Sequence, residues 1–353
     1  VPIFKALVLL LAAPLLAAVV LPTSTPQPLN AGKLADRQFL VTTRAGSGYA
    51  RYFGSGSLDA SPTATRAIVV VHGVLRDADY YYDTGRLAAS AAHVLSTTLV
   101  IAPQFVERGE LAGHDVSPKT LWWSELWPGG SDAISPAAIS TYDVFDAMLA
   151  RLSDRRRFPA MREIVIVGHS AGGQIVQRYA VVGKARELNP GARVPVRLVV
   201  ANPSSYFYFT NWRPVPQAHC ADFDRWRYGL DGAPRYVKGT AAQLEARYVA
   251  RRVTYLMGTA DTNPKEDDLD RTCGGEAQGP YRFARATYYI EYINQRHPQG
   301  TNQDFAFVLG VPHDNRRMFT SACGLGVIFG GSTSACAASG TLANLKRPWT
   351  LAK

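Results

Sequence analysis

The chain is poor in the features that would place it in several large classes. Of its 353 residues only four are cysteine, four methionine and seven histidine. No cysteine or histidine spacing resembles a zinc site, and neither a metal nor an organic cofactor is expected. No basic block is longer than Arg155-Arg156-Arg157, although 38 Lys and Arg outnumber 28 Asp and Glu. A net charge of +10 spread in this way describes a generally basic surface, and a nucleic-acid partner is not expected. There is no internal repeat. Beyond residues 6–21 no stretch is apolar and long enough to span a bilayer.

That one apolar run shapes the reading of the N-terminus. Lys5 precedes a segment made almost wholly of Ala, Leu and Val, with Pro14 inside it. Residues 1–22 read as a secretory signal peptide, and a retained N-terminal anchor is the alternative and the only membrane attachment expected. Residues 23–37 follow as a linker, and residues 38–353 as one domain. An exported chain with an even cysteine count suggests disulfides in a secreted or periplasmic protein. Four cysteines allow three pairings. Nearness in sequence favours Cys323–Cys336, which leaves Cys220–Cys273; buried free thiols are the alternative.

Apolar strand signals alternate with amphipathic helix signals, which gives an α/β fold with a mostly parallel central sheet flanked by helices. Residues 39–43 and 50–55 suggest a hairpin. Strands are expected at 67–71, 99–102, 164–167, 196–201, 252–257 and 305–311, and helices at 87–95 and 140–152. Two long segments, 104–139 and 203–250, break the rhythm. Both are rich in aromatic residues and both follow strand C-terminal ends, where such sheets hold ligands. They are expected to form a cap or lid over a substrate pocket lined by Trp122, Trp127, Tyr206 and Trp212, or else a satellite core.

The most informative run is EIVIVGHSAGGQIVQRYA, residues 163–180. It has a buried strand, a tight turn with a serine at its tip, and a helix. Gly168 and Gly172 remove side chains where strand and helix approach each other. This is the layout of a nucleophile elbow presenting Ser170 to a carbonyl. A serine hydroxyl needs a base and a group to orient that base. His313, after the last apolar strand, suits the base better than His219 or His297. Asp261, in the turn after the strand at 252–257, suits the acid better than Asp267, Asp268 or Asp270. The backbone N–H groups of Ala171 and Val74 are the expected oxyanion donors. His72 is expected to brace its loop rather than act as base, and Arg76 to pair with Asp77.

With VVVHG, VGHSAGG, LMGTAD and VPHD in that order, the chain resembles the α/β-hydrolase superfamily over roughly residues 46–330. The resemblance implies the α/β-hydrolase fold, with Ser170 as nucleophile, Asp261 as acid and His313 as base. It also implies hydrolysis of a small-molecule or polymeric ester through an acyl-enzyme. The same groups would serve a peptidase or amidase. A non-catalytic glycan- or peptide-binding module on the same scaffold is the reading from another class.

Overall fold

A computed structural model describes residues 33–215 and 220–345. The signal segment expected at residues 1–22, most of the linker, and His219 lie outside them.

Nine strands form one sheet in the order β1-β2-β4-β3-β5-β6-β7-β8-β9. They are β1 (Arg37–Thr43), β2 (Gly46–Gly54), β3 (Arg66–Val71), β4 (Thr98–Gln104), β5 (Glu163–His169), β6 (Val196–Ala201), β7 (Val253–Gly258), β8 (Gln303–Val308) and β9 (Ala338–Thr341). The six strands from β4 to β8 in that order are parallel, and the pairs β1–β2, β2–β4 and β8–β9 are antiparallel. The helices are α1 (Ala78–Ala91), α2 (Thr141–Leu152), α3 (Ala171–Val182), α4 (Ala241–Val249), α5 (Cys273–Glu276), α6 (Arg282–Arg296), α7 (Asn315–Thr320) and α8 (Ala322–Phe329).

The strand pleat sorts the apolar residues into two cores. Along β3, Ala67, Val69 and Val71 enter one core with Phe145 and Leu149 of α2, Ile175 and Tyr179 of α3, and Ile290 of α6. Ile68 and Val70 enter the other, with Tyr81 and Ala88 of α1, Met318 of α7 and Val327 of α8. A strand covered on both faces must be apolar at every position, which is why AIVVV and IVIV read as continuous runs. Each fully buried Val or Ile contributes about 1.5–3 kcal/mol.

Expected and observed elements differ in several places. Helix α1 begins at Ala78, well before residue 87. Helix α6 and strand β9 were not anticipated. The 104–139 segment holds only two short 3-10 turns, Arg108–Leu111 and Trp127–Gly129. Most aromatics of the second segment are interior: Tyr206, Phe207, Tyr208, Phe209 and Tyr236 all belong to the first core.

Charged groups are also used inside. Arg251 is buried and donates from Nη1 to the carbonyl of Ala180 at 2.6 Å and from Nη2 to that of Gly183 at 2.7 Å. These carbonyls end α3, where a cation favours the helix dipole and satisfies orphan acceptors. The cysteines form two pairs, Cys220–Cys273 and Cys323–Cys336, with S–S distances of 2.06 and 2.03 Å. Two such bonds fit an oxidising compartment. Among the described residues no helix is long and apolar enough to cross a membrane.

Candidate active site

The C-terminal ends of parallel strands lie at one edge of a sheet. Four of them here deliver residues to that edge: β3 leads to Gly73, β5 to Ser170, β7 to Asp261 and β8 to His313.

Ser170 sits between β5 and α3 with φ 59° and ψ −124°, a conformation costly for any side chain. Close packing sets the turn. A Cβ on Gly168 would lie 2.1 Å from the Gly172 carbonyl oxygen, and one on Gly172 would lie 2.2 Å from that of Val71. The two glycines therefore let α3 begin directly against the ends of β3 and β5. The Ser170 N–H donates to Ala201 O at 3.1 Å, which ties the elbow to β6. Ala171 is the first residue of α3, so its N–H has no acceptor within the helix.

The loops after β7 and β8 are joined to each other. Thr259 N–H donates to Val308 O, Ala260 N–H to Val311 O, and Gly310 N–H to the Thr259 hydroxyl. This brings together two residues 52 positions apart: His313 Nδ1 and Asp261 Oδ2 are 2.7 Å from each other. With the carboxylate accepting from Nδ1–H, the Nε2 lone pair is free to take a proton. Burial first, and then the nearby Arg282 guanidinium, hold the His313 imidazole well below the usual histidine range. Burial pushes the Asp261 carboxyl up, and Arg282 draws it back down.

Ser170 meets this pair through its chain neighbour. The His169 ring stacks on the His313 ring with centroids 4.4 Å apart. Among the described residues no hydrogen bond joins the Ser170 hydroxyl to His313; contacts of this kind often tighten only when substrate is bound.

The loop between β3 and α1 flanks the serine. A Cβ on Gly73 would lie 3.8 Å from the Ser170 Cβ. His72 is completely buried, with Nδ1 2.8 Å from Gly73 O and Nε2 3.1 Å from Phe105 N. The backbone partners fix the tautomer: Nδ1–H donates and Nε2 accepts. Burial pushes this imidazole down to about 3, so it is neutral and braces the loop.

Arg76 does not pair with Asp77. Its Nε bonds both Glu110 oxygens at 3.0 Å, and its Nη1 lies 3.0 Å from Glu107. Arg76 also has φ 58° and donates to Val74 O. A planar guanidinium held by two carboxylates is well suited to clamp a turn. Arg76→Met should therefore lower kcat/KM on an ester substrate by about tenfold to a hundredfold, because small misplacements of a loop beside the reacting serine would be that costly. Circular dichroism should show an unchanged fold. Unaltered kinetics would mean that the clamp does not position the loop. Glu107 and Glu110 were missed in the sequence because nothing local links them to a turn 34 residues away.

The expected pocket residues fall into two groups. Trp127 and Tyr206 have no exposed surface. Trp127 packs on His72 with centroids 4.5 Å apart, and Tyr206 stacks on Tyr289 at 4.6 Å. They are interior supports in this structure rather than walls of an open pocket. Trp122 is half-buried, and Trp212 is 43% exposed and stacked on Tyr292. A groove of about 610 Å³ does lie where the two long segments meet, lined in part by Leu126, Gly129, Trp226, Arg227 and Tyr228. Among the described residues no cluster of three or more His, Cys, Asp or Glu could hold a metal ion.

The fold has counterparts among solved structures. A solved poly(aspartic acid) hydrolase-1 from Sphingomonas sp. KT-1 superposes with a TM-score of 0.56 at 24% identity, over 84% of this chain and 99% of that one. LpqC, a poly(3-hydroxybutyrate) depolymerase from Bordetella parapertussis, gives 0.56 and 24% over 82% and 86%. No curated protein sequence matches the chain. The family model described as "Alpha/beta hydrolase family" matches residues 68–311, a stretch from β3 to the residues just before His313, and the chain belongs to the α/β-hydrolase family.

Proposed function

We propose that the protein is an exported serine hydrolase that cleaves carboxylic ester bonds through an acyl-enzyme. The observation that carries this reading is a serine held at φ 59° next in the chain to His169, whose ring packs against an imidazole already bonded to a buried carboxylate. Ser170 Oγ attacks the ester carbonyl carbon while His313 Nε2 takes its proton. The carbonyl oxygen becomes an oxyanion accepting from the Ala171 and Val74 N–H groups. When the C–O bond breaks, the His313 imidazolium protonates the leaving alcohol. Water then attacks the acyl group, gives its proton to His313, and releases the acid with Ser170 restored. Asp261 holds the tautomer throughout. The two disulfides support export.

The fold neighbours bear names that refer to polymers, so the substrate panel should include a polyester film beside short p-nitrophenyl esters and matched anilides. We expect esters to be cleaved faster than anilides. A fluorophosphonate probe should label the protein, and the adduct should map to Ser170. Labelling elsewhere, or none, would reject the mechanism and favour a binding module.

A further inference from the structure

We propose that Arg282 is a positioning residue of this site: its buried guanidinium fixes the charge and orientation of the Asp261 carboxylate that holds His313. The proposal rests on the mechanism above.

Arg282 opens α6 and is completely buried. Its Nη1 lies 3.6 Å from Asp261 Oδ1 and 3.0 Å from Glu266 Oε2. The backbone supports the same approach, because the Phe283 N–H donates to Asp261 O at 3.1 Å. The other carboxylate oxygen, Oδ2, is the one on His313. A chain of charge thus runs from Glu266 through Arg282 and Asp261 to the imidazole.

The contacts of Arg282 differ from those of the neighbouring buried arginines. Arg285, one turn along the same helix, donates to the backbone carbonyls of Gly279 and Ser204. Arg251 likewise binds carbonyls at the end of α3. Those two bracket the backbone. Among the described residues Arg282 bonds no carbonyl; it meets two carboxylates, and its Nε and Nη2 are left without partners. It also lies at a helix N-terminus, where the dipole disfavours a cation. A residue serving the fold alone gains little from this placement. One that must oppose the Asp261 charge has to be there.

The groups facing His313 are Asp261 from the loop after β7, Arg282 from α6 and His169 from the end of β5. Behind them stand Glu266, against Arg282, and Tyr81, whose hydroxyl is 3.5 Å from His169 Nδ1. Asp314 is turned away, accepting from the Arg317 N–H as the cap of α7. Burial, His313 and Arg282 hold His169 well below its usual range, with Asp261 opposing, so it is neutral. Among the described residues Arg282 is thus the one cation in this set. A positive charge here opposes protonation of both His313 and Asp261. Removing it lets the pair bind a proton at higher pH, whichever site takes it.

The test compares Arg282→Gln, Arg282→Lys and Glu266→Gln in the full chain. Two readouts are used: the pH profile of kcat/KM on a p-nitrophenyl ester, and the titration of the His313 imidazole by nitrogen NMR in a Ser170→Ala background. Arg282→Gln should move the acid limb and the imidazole titration upward by roughly one unit or more. Arg282→Lys should restore most of the wild-type position. Glu266→Gln should move both the opposite way, because it leaves the guanidinium less compensated; this half-exposed site keeps the proposal open to refutation if Arg282→Gln does not fold. A Ser170-dependent esterase in which none of these variants shifts either readout overturns the role of Arg282. A shifted imidazole in a protein that cleaves no ester keeps the role and rejects the mechanism.

Discussion

Ser170→Ala should lower kcat on a p-nitrophenyl ester by about 10⁴- to 10⁶-fold and abolish fluorophosphonate labelling, while leaving the protein folded. The size follows from what the proposed mechanism would lose: the atom that forms the covalent bond, without which the base and the donors have nothing to act on. The fold should survive because the side chain contributes little to the core. The backbone at this position holds φ 59° whether the residue is Ser or Ala, and only glycine adopts that conformation freely. Ser170→Gly should therefore be equally inactive but more stable than Ser170→Ala by about 1 kcal/mol, measured by urea unfolding. Turnover near the wild-type value in either variant would remove Ser170 from the mechanism.

Gly172→Ala should destabilise the protein by about 3–5 kcal/mol, near the top of the range for single substitutions. The added Cβ would lie 2.2 Å from Val71 O and 2.6 Å from His72 O. Both are backbone atoms of β3 and the loop after it, so no rotamer change relieves the contact. Relief requires α3 to move off the sheet. That movement carries Ser170 and the Ala171 N–H away from the Gly73 loop, so the folded fraction should also lose activity. Gly109→Ala is the control, since a Cβ there meets nothing within 4 Å. A Gly172→Ala protein with a wild-type melting temperature would show that the packing of the elbow is looser than described.

The central strands were legible because burial on both faces leaves no freedom in their composition. The elbow was legible because sterics leave few residues that can make the turn. Asp261 and His313 were legible as stations at strand ends, since the sheet gathers such ends at one edge. What failed depends on contacts far along the chain. Strand β9 reads ASGT, with no apolar alternation, and it forms only because β8 offers an open edge. Helix α1 begins among Tyr80, Tyr81 and Tyr82 with Gly85 inside, which local propensity disfavours; a Cβ at Gly85 would meet Val70 at 2.8 Å, so close packing on the sheet decides it. Helix α6 did carry a signal, in Phe283, Ala286, Ile290 and Ile293 at helical spacing. The aromatic segment was ambiguous for a different reason: rings that fill a core and rings that line a pocket are the same residues. Arg282 could not be found from sequence, because its meaning lies in a carboxylate 21 residues earlier in the chain.

Helix α3 is gripped at both ends, by glycine contact with the sheet beside Ser170 and by Arg251 at its last carbonyls. Twelve residues make a strut roughly 18 Å long. A strut pinned at its far end transmits small tilts to its tip. Substitutions around Arg251, at the end of α3 opposite Ser170, would therefore be read out at the hydroxyl. That makes the far end of this helix a place from which turnover can be tuned without touching the chemistry itself.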